Sequence, residues 1–164
     1  MPSRGWRFCP RCGGGLTDID YEGGTRQACA DAACGFVRYE NPVPVAAVIV
    51  ERADGVILAR NAAWPPKMFG LITGFVEKGE HPEHTAAREV EEELGLKPGP
   101  LTWIGIYEFP QMNQVILAWH TTVEGEPTLS EELVAYKVIP VEKLRPWPMG
   151  TGHALRDWLA SRGG

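Results

Sequence analysis

The chain lacks the features of membrane and secreted proteins. None of its 164 residues belongs to an apolar run of about 20 residues, the length that a membrane span requires. The first residues, Met-Pro-Ser-Arg-Gly-Trp-Arg-Phe, contain no apolar segment of the kind that directs secretion, so we expect no signal peptide. Internal repeats and low-complexity stretches are absent as well. These absences predict a globular, cytoplasmic protein with no membrane partner, in which thiols stay reduced.

A basic surplus is also lacking. The chain has 16 basic and 21 acidic side chains, a net charge of −5. Residues 1–40 hold five basic and five acidic side chains, so the whole net negative charge falls in residues 41–164. Nucleic-acid binding usually needs a clear excess of Lys and Arg. The sequence therefore predicts that nucleic acid is an unlikely partner, and it leaves a homodimer open.

Cysteine is scarce, and its placement is informative. The four cysteines are Cys9, Cys12, Cys29 and Cys34, which form two close pairs separated by 16 residues. Paired cysteines in a reducing compartment favour an all-thiolate Zn²⁺ site of structural type, with two disulfides or four unligated thiols as the alternatives. The pattern predicts a zinc ribbon over residues 1–40, in which the metal supplies much of the folding energy that a small core cannot.

The remainder, residues 41–164, is predicted to be a second domain that begins at Asn41-Pro42-Val43-Pro44. Its apolar runs predict strands, and the spacing of Ala154, Leu155, Trp158 and Leu159 predicts a helix over 151–161. A helical turn is predicted over Val141 to Leu144. This succession of elements indicates an α/β fold with a mixed sheet between helices. The predicted strands are Val45–Glu51, Val56–Arg60, Met68–Thr73, Leu101–Phe109, Gln114–Val123 and Leu133–Ile139.

Residues 74–96 carry the chemistry. Pro82 suits the first turn of a helix, because its missing N–H costs nothing there, and Gly95 suits a left-handed residue that ends one. At about 100° per residue, Glu89, Glu92 and Glu93 share one arc of the helix, whereas Glu91 points away and should be solvated. The neighbouring arc is apolar and should face the core; it contains Ala86, Ala87, Val90 and Leu94.

Three crowded carboxylates repel one another, and a bound Mg²⁺ or Mn²⁺ would relieve that repulsion because these ions prefer oxygen ligands. Taken as a charge run alone, the same residues are typical of a solvated acidic helix face. The wider pattern decides in favour of metal. The segment resembles the Nudix box, G-x5-E-x7-R-E-U-x-E-E-x-G-U, in which U is a bulky apolar residue. The positions filled are Gly74, Glu80, Arg88, Glu89, Val90, Glu92, Glu93, Gly95 and Leu96.

The resemblance implies a Nudix α/β/α sandwich and hydrolysis of a nucleoside diphosphate linked to another group. In that family Glu89 and Glu93 would be the main Mg²⁺ ligands, assisted by Glu92, Glu80 and the carbonyl of Gly74. Arg88 would orient the glutamates, and the identity of the general base stays open. Glu131 and Glu132 lie in a loop where Nudix enzymes often bring an extra carboxylate, which makes either a candidate base.

A zinc ribbon ahead of a Nudix box resembles the NADH pyrophosphatase group. That group carries S-Q-P-W-P-F-P-x-S after the box, and here only Phe109-Pro110 is retained. The layout is also similar to shorter ribbon-bearing Nudix enzymes that act on ADP-ribose or FAD. The resemblance therefore implies hydrolysis of an ADP-containing diphosphate to AMP and a second monophosphate. The alternative is a ligand-sensing or partner-binding Nudix module without efficient catalysis.

Aromatic residues are candidates for holding a nucleotide base by stacking. Phe109 and Trp64, which lies in a proline-rich loop, are predicted to contact substrate. Trp103 and Trp119 lie in strand-like runs and are predicted to be core residues. His81 and His84, at the start of the box helix, are expected to cap it or to face solvent rather than to bind metal.

Overall fold

The computed structural model describes residues 5–163. These residues fold into two compact units, with the division after Asn41. No helix within the described part of the chain is long and apolar enough to cross a membrane.

The N-terminal unit is a small three-stranded antiparallel sheet. Its strands are β1 (Leu16–Tyr21), β2 (Gly24–Cys29) and β3 (Val37–Arg38), in that spatial order. Glu22 and Gly23 form the β1–β2 turn with φ values of 49° and 80°. A glycine favours such a turn, because it adopts positive φ without steric cost.

The C-terminal unit contains a mixed sheet and two helices. Five of its strands follow the order β7-β8-β4-β5-β9, and the sixth, β6, pairs with β4. Only β4 and β8 are parallel among the strand pairs of the described residues; the other pairs are antiparallel. The strands are β4 (Val43–Arg52), β5 (Gly55–Asn61), β6 (Ile72–Phe75), β7 (Thr102–Phe109), β8 (Gln114–Thr122) and β9 (Leu133–Ile139), and the helices are α1 (Pro82–Leu94) and α2 (Thr151–Ser161). Two 3₁₀ turns, Pro110–Met112 and Val141–Lys143, complete the unit.

Strand β4 organises the sheet because two strands share one of its edges. Its first half, Val45 to Val48, pairs with β6, and its end, Val50 to Arg52, pairs with β5. Strands β5 and β6 therefore lie one after the other along the same edge of β4. The chain leaves β6 at Phe75 and reaches α1 seven residues later.

The sheet is buried on both faces, which explains why β4 is continuously apolar from Val45 to Val50. Alternate residues of β4 contact opposite cores. Ala46, Val48 and Val50 pack with Ala86, Val90 and Leu94 of α1. Ile49 packs with Leu155 and Trp158 of α2, and Ala47 packs with Ala154. The predicted helix–sheet–helix sandwich with a mixed sheet is confirmed.

Most predicted elements lie within two residues of their observed bounds, but two expectations were wrong. The strand predicted over Met68–Thr73 is displaced to Ile72–Phe75, because Pro65 and Met68 form a turn and Gly70 makes only an isolated bridge to Ala59. Trp103 is not a core residue. It is 48% exposed on the edge strand β7 and contacts the buried Trp119 edge-on, with ring centroids 4.9 Å apart.

Candidate active site

Helix α1 begins and ends as its sequence predicts. His81 is the N-cap, and its Nδ1 accepts a hydrogen bond of 3.3 Å from the Glu83 N–H. Pro82 follows in the first turn. Gly95 ends the helix in the left-handed conformation, with φ 63° and ψ 17°, and its N–H donates to the Glu91 carbonyl at 2.9 Å. These signals fix which way each glutamate of the helix points.

Arg88 gathers three of the glutamates. Its Nε donates to Glu80 Oε1 at 2.9 Å, and its Nη2 donates to Glu80 Oε2 at 3.2 Å. Its Nη1 donates to Glu89 Oε1 at 2.7 Å and to Glu92 Oε2 at 2.8 Å. Charge-assisted bonds of this kind hold side chains in one orientation. They occupy one oxygen each of Glu89 and Glu92, so the second oxygen of each carboxylate has no hydrogen-bond partner among the described residues.

The same network separates the acidities of these groups. The bidentate bond from Arg88 lowers the pKa of Glu80 to about 2. Burial raises the pKa of Glu89, although Arg88 opposes the shift. Burial and the nearby charges of Glu89 and Glu132 raise the pKa of Glu93 to about 7. A carboxylate that is surrounded by like charge and partly removed from water favours a proton or a cation as its partner.

Gly74 makes room for Glu89. The two residues lie so close that a Cβ atom on Gly74 would overlap the Glu89 carboxyl group. The first position of the box therefore needs glycine for space: Gly74 lies in the extended strand β6, where the backbone itself would accept any residue.

The loop before β9 is fastened to the end of α1. The N–H groups of Thr128 and Ser130 donate to the carbonyls of Leu94 and Glu93 at 2.8 and 3.1 Å, which satisfies two carbonyls that the helix leaves unpaired. Glu132 follows in the same loop, and its carbonyl accepts a bond of 2.9 Å from the Ala62 N–H. The backbone thus connects Glu132 both to the glutamate helix and to the loop that carries Trp64.

These elements surround a cavity of about 800 Å³. One part of its lining is acidic, and the other is aromatic and rich in methionine. The acidic part contains Glu77, Glu89, Glu92, Glu93 and Glu132. Arg88 also lines the cavity and is the one cation among its described lining residues. The aromatic and methionine part contains Trp64, Met68, Phe75, Phe109, Met112, Trp147 and Met149.

The structure brings together most residues that the sequence singles out. Trp64, Phe109 and Gly74 line the same cavity as the box carboxylates. Glu80 does not line it but contacts Arg88 behind it. Of the two candidate bases in the loop, Glu132 lines the cavity, whereas Glu131 does not.

Sequence reasoning missed Trp147, Met112 and Met149. Trp147 and Met149 lie in the Pro-Trp-Pro-Met-Gly segment before α2, where a short proline- and glycine-rich stretch between two elements was the available signal. Gly150 packs against the Phe109 ring so closely that an added Cβ atom would lie 3.2 Å from two ring carbons. This segment therefore lies directly against Phe109. Phe109 and Gly150 are 41 positions apart, so the sequence pattern around either residue does not predict their contact.

The four cysteines form a second site, in the N-terminal unit. Their sulfur atoms all lie within 4.8 Å of one another, with Cys9 Sγ 3.7 Å from Cys34 Sγ and Cys12 Sγ 3.5 Å from Cys29 Sγ. None of them is in a disulfide. Tetrahedral Zn²⁺ with Zn–S bonds of about 2.3 Å would place its sulfurs at similar separations. The donor set and its spacing therefore fit a structural zinc ion, and the Gly14 N–H, 3.4 Å from Cys12 Sγ, supports one thiolate.

Comparison with known proteins agrees with this architecture. A family model described as the NUDIX domain matches residues 41–158. The chain belongs to this family, a class of enzymes that use divalent metal ions. The N-terminal unit precedes the matched region.

Named relatives are similar over more of the chain. NAD-capped RNA hydrolase NudC of Pseudomonas aeruginosa is 32% identical over 163 residues, which is 96% of this chain and 57% of that protein. NAD-capped RNA hydrolase NUDT12 of Macaca fascicularis is 34% identical over 120 residues, 68% of this chain and 26% of the relative. The chain thus spans little more than half the length of the first of these curated relatives and about a quarter of the second.

Among solved structures, a NUDIX hydrolase from Nitrosomonas europaea aligns with 96% of this chain and 93% of its own, with a TM-score of 0.79 and 23% identity. This likeness covers both units of the chain and concerns the fold.

Proposed function

We propose that the chain hydrolyses the diphosphate bond of an ADP-containing nucleotide of the ADP-ribose, FAD or NADH type, giving AMP and a second monophosphate. The observation that carries the proposal is the cavity that joins the box carboxylates to Trp64 and Phe109. Such a cavity suits a ligand with a charged diphosphate at one end and a flat ring at the other.

The carboxylates supply hard oxygen donors for Mg²⁺ or Mn²⁺. Glu89, Glu92 and Glu93 would hold the ions, together with the Gly74 carbonyl, and Glu132 lines the same cavity. The raised pKa values of Glu89 and Glu93 support this assignment, because a cation relieves the same repulsion that a proton does. When bound, such ions neutralise the diphosphate, polarise phosphorus and acidify a coordinated water.

The protein's own groups then have separate tasks. Arg88 keeps Glu89 and Glu92 oriented and is itself held by Glu80, so its task is to position the metal ligands. Glu93 and Glu132 are the candidates to accept the proton of the attacking water, since both carboxylates line the cavity. Phe109 and Trp64 would bind the adenine or the second ring by stacking.

A capped RNA is the second candidate substrate. The relatives from P. aeruginosa and M. fascicularis are named NAD-capped RNA hydrolases. A dinucleotide joined to RNA presents the same diphosphate to the carboxylates as a free dinucleotide does. The expectation that nucleic acid is an unlikely partner rested on the lack of a basic surplus, both in residues 1–40 and in the whole chain. The names of these relatives argue for testing it.

The cysteine site is proposed to hold one structural Zn²⁺. Four thiolates would complete the tetrahedron, so that the ion has no open position for water and takes no part in the reaction. Residues 1–40 would be this ribbon and residues 41–164 the catalytic domain. A reducing cytoplasm and a homodimer both stay predictions.

A panel of substrates tests the proposal. The values of kcat/KM for ADP-ribose, FAD, NADH, NAD-capped RNA and 8-oxo-dGTP are compared under Mg²⁺. We expect ADP-ribose or FAD to be used at least as well as NADH. A tenfold preference for NADH over both would reverse that order, and activity confined to the triphosphate would refute the substrate class.

Three matched substitutions test the catalytic assignment. Glu89→Gln and Glu93→Gln should each lower kcat by a factor of about 100 or more, since each removes a ligand charge. Glu91→Gln, on the exposed face of the same helix, should stay within about twofold of the wild type. No loss in either of the first two variants would refute the ligand assignment, and a wild type that cleaves no substrate of the panel would leave the ligand-sensing module as the better description.

A further inference from the structure

Methionine is concentrated at the cavity. The chain has four methionines, and apart from Met1 they are Met68, Met112 and Met149. All three line the cavity that holds the box carboxylates. They reach it from three segments that are distant in sequence: the loop between β5 and β6, the 3₁₀ turn between β7 and β8, and the segment before α2. We call Met68, Met112 and Met149 the methionine rim.

The methionine rim is accessible to a ligand. The exposed fractions of Met68, Met112 and Met149 are 50%, 58% and 48%. Methionine is ordinarily among the residue types that are most often buried. A ligand that covered these side chains would remove their apolar surface from water, which favours binding. Three half-exposed thioethers around one cavity therefore indicate a surface that a ligand covers.

Two aromatic rings of the same cavity lie directly against the backbone. A Cβ atom on Gly70 would lie 3.1 Å from the Trp64 ring, and one on Gly150 would lie 3.2 Å from the Phe109 ring. Both rings are flat and partly buried. Methionine, by contrast, has three rotatable bonds and a polarisable sulfur, so it adapts to neighbours of different shape. The cavity thus combines rigid flat surfaces with an adaptable rim.

The candidate substrates differ in the half that follows the diphosphate. All of them contain ADP, but the second half carries a three-ring flavin in FAD, a single nicotinamide ring in NADH and only a ribose in ADP-ribose. Thioethers suit flat rings of different size, because they repack around each ring and contact its edge favourably. Apolar contacts also discriminate weakly between similar ligands, whereas buried hydrogen-bonding groups reject a wrong partner strongly.

We propose that the methionine rim binds the second ring of the substrate and accepts flavin and nicotinamide with little discrimination. This inference rests on the proposed function and deepens it, because it assigns the specificity for the half beyond ADP to Met68, Met112 and Met149. The carboxylates act on the diphosphate that all the substrates share. The rim contributes only when a ring follows that diphosphate, so ADP-ribose gains nothing from it.

The triple variant Met68→Ala/Met112→Ala/Met149→Ala tests the inference. Its kcat/KM for FAD and for NADH should fall at least tenfold, while kcat/KM for ADP-ribose stays within twofold of the wild type. Equal losses on all three substrates would show that the rim supports the adenine half or the fold, and no loss would show that it does not contact substrate. Either result overturns the inference.

The matched control removes exposed apolar side chains elsewhere. Ile106 and Val134 are 63% and 48% exposed, and neither lines the cavity. Ile106→Ala/Val134→Ala should keep kcat/KM for all three substrates within twofold. A selective loss on FAD and NADH in this control would show that the effect is not particular to the rim.

A leucine variant tests the adaptability of the rim. Met68→Leu/Met112→Leu/Met149→Leu keeps the apolar character and nearly the volume but replaces a flexible thioether by a branched, stiffer side chain. In the wild type, kcat/KM for FAD and for NADH should lie within tenfold of each other. The leucine variant should change that ratio at least fivefold. A wild-type ratio above ten, or a ratio that leucine leaves unchanged, would refute the tolerance assigned to methionine.

Binding of product halves separates this inference from the proposed function. Dissociation constants for FMN and AMP are measured by calorimetry in the presence of Mg²⁺. The alanine variant should bind FMN at least fivefold more weakly and AMP within twofold of the wild type. Equal weakening of both, or a wild type that binds no FMN, overturns the rim even if the protein cleaves FAD. Protein that cleaves no diphosphate refutes the proposed function, and the comparison of FMN with AMP then decides the rim alone.

Discussion

At the scale of single residues, the site depends on close packing between a backbone and a carboxylate. Glu89 occupies the space that a side chain at position 74 would fill. Its carboxylate is also held by Arg88, so it cannot move aside without breaking a charge-assisted bond of 2.7 Å. Glycine at position 74 is therefore a condition for the geometry of Glu89.

Gly74→Ala should lower kcat/KM by at least about tenfold, because a shift of about 1 Å in a catalytic group can cost that much or more. The added Cβ meets only the far end of a flexible side chain, Glu89, so the thermal midpoint should change far less than activity does. Gly24→Ala is the control, since a Cβ there meets no atom within 4 Å and the residue also has no positive φ. Wild-type activity in Gly74→Ala would show that Glu89 can move aside freely.

The second residue-scale prediction concerns the pH dependence of stability. The pKa of Glu93 is about 7 in the folded protein against an ordinary value of 4.5, so the folded state binds this proton more tightly. In EDTA, the contribution of Glu93 to the free energy of unfolding should be full below pH 4.5 and should be lost as the pH rises through 7.

Urea unfolding midpoints in EDTA between about pH 4.5 and pH 8 check this prediction. The wild type should lose more stability over this range than Glu93→Gln, whose amide does not titrate. Parallel profiles of the two proteins would show that burial of Glu93 does not raise its pKa as described.

At the scale of elements, the site depends on where helix α1 ends. Gly95 turns the chain so that the loop from Thr128 can cap the last carbonyls, and a Cβ at position 95 would lie 3.2 Å from Thr128 Cβ. The left-handed conformation itself costs an ordinary residue about 1–2 kcal/mol.

Gly95→Ala should therefore lower the free energy of unfolding by about 1–2 kcal/mol, measured in urea. Gly95→Asn should lose less, because Asn adopts the left-handed conformation more readily. If the alanine and asparagine variants were equally destabilised, contact with Thr128 and not the backbone conformation would be the cause.

At the scale of the whole molecule, the two units should depend on metal differently. The N-terminal unit buries few apolar residues, among them Cys9, Ala28 and Cys29, whereas the C-terminal unit has extensive cores on both faces of its sheet. A unit with so small a core needs another source of folding energy, and the cysteine site offers one.

Protein purified without chelator should contain one zinc per chain by elemental analysis. Cys12→Ser should lose that zinc and the hydrogen-exchange protection of β1–β3, while protection in β4 and α1 is kept. A zinc-free wild type with a protected N-terminal unit would contradict the structural role of the metal.

The amino-acid sequence by itself determined the features that depend on neighbours along the chain. The bounds of α1, the shared arc of Glu89 and Glu93, and the exposure of Glu91 all follow from helical periodicity and from capping residues within the box segment. The cysteine pairs are likewise local, and the structure places all four sulfurs together.

Tertiary structure alone decided which side chains are buried and which residues distant in sequence contact one another. Trp103 has the sequence context of a core residue but is exposed, because β7 is an edge strand. Phe109 meets Gly150, and Trp147 enters the cavity, only because α2 packs against the sheet near the end of β7. Burial, proximity and local charge are set by residues distant in sequence, and no periodicity within one segment contains that information.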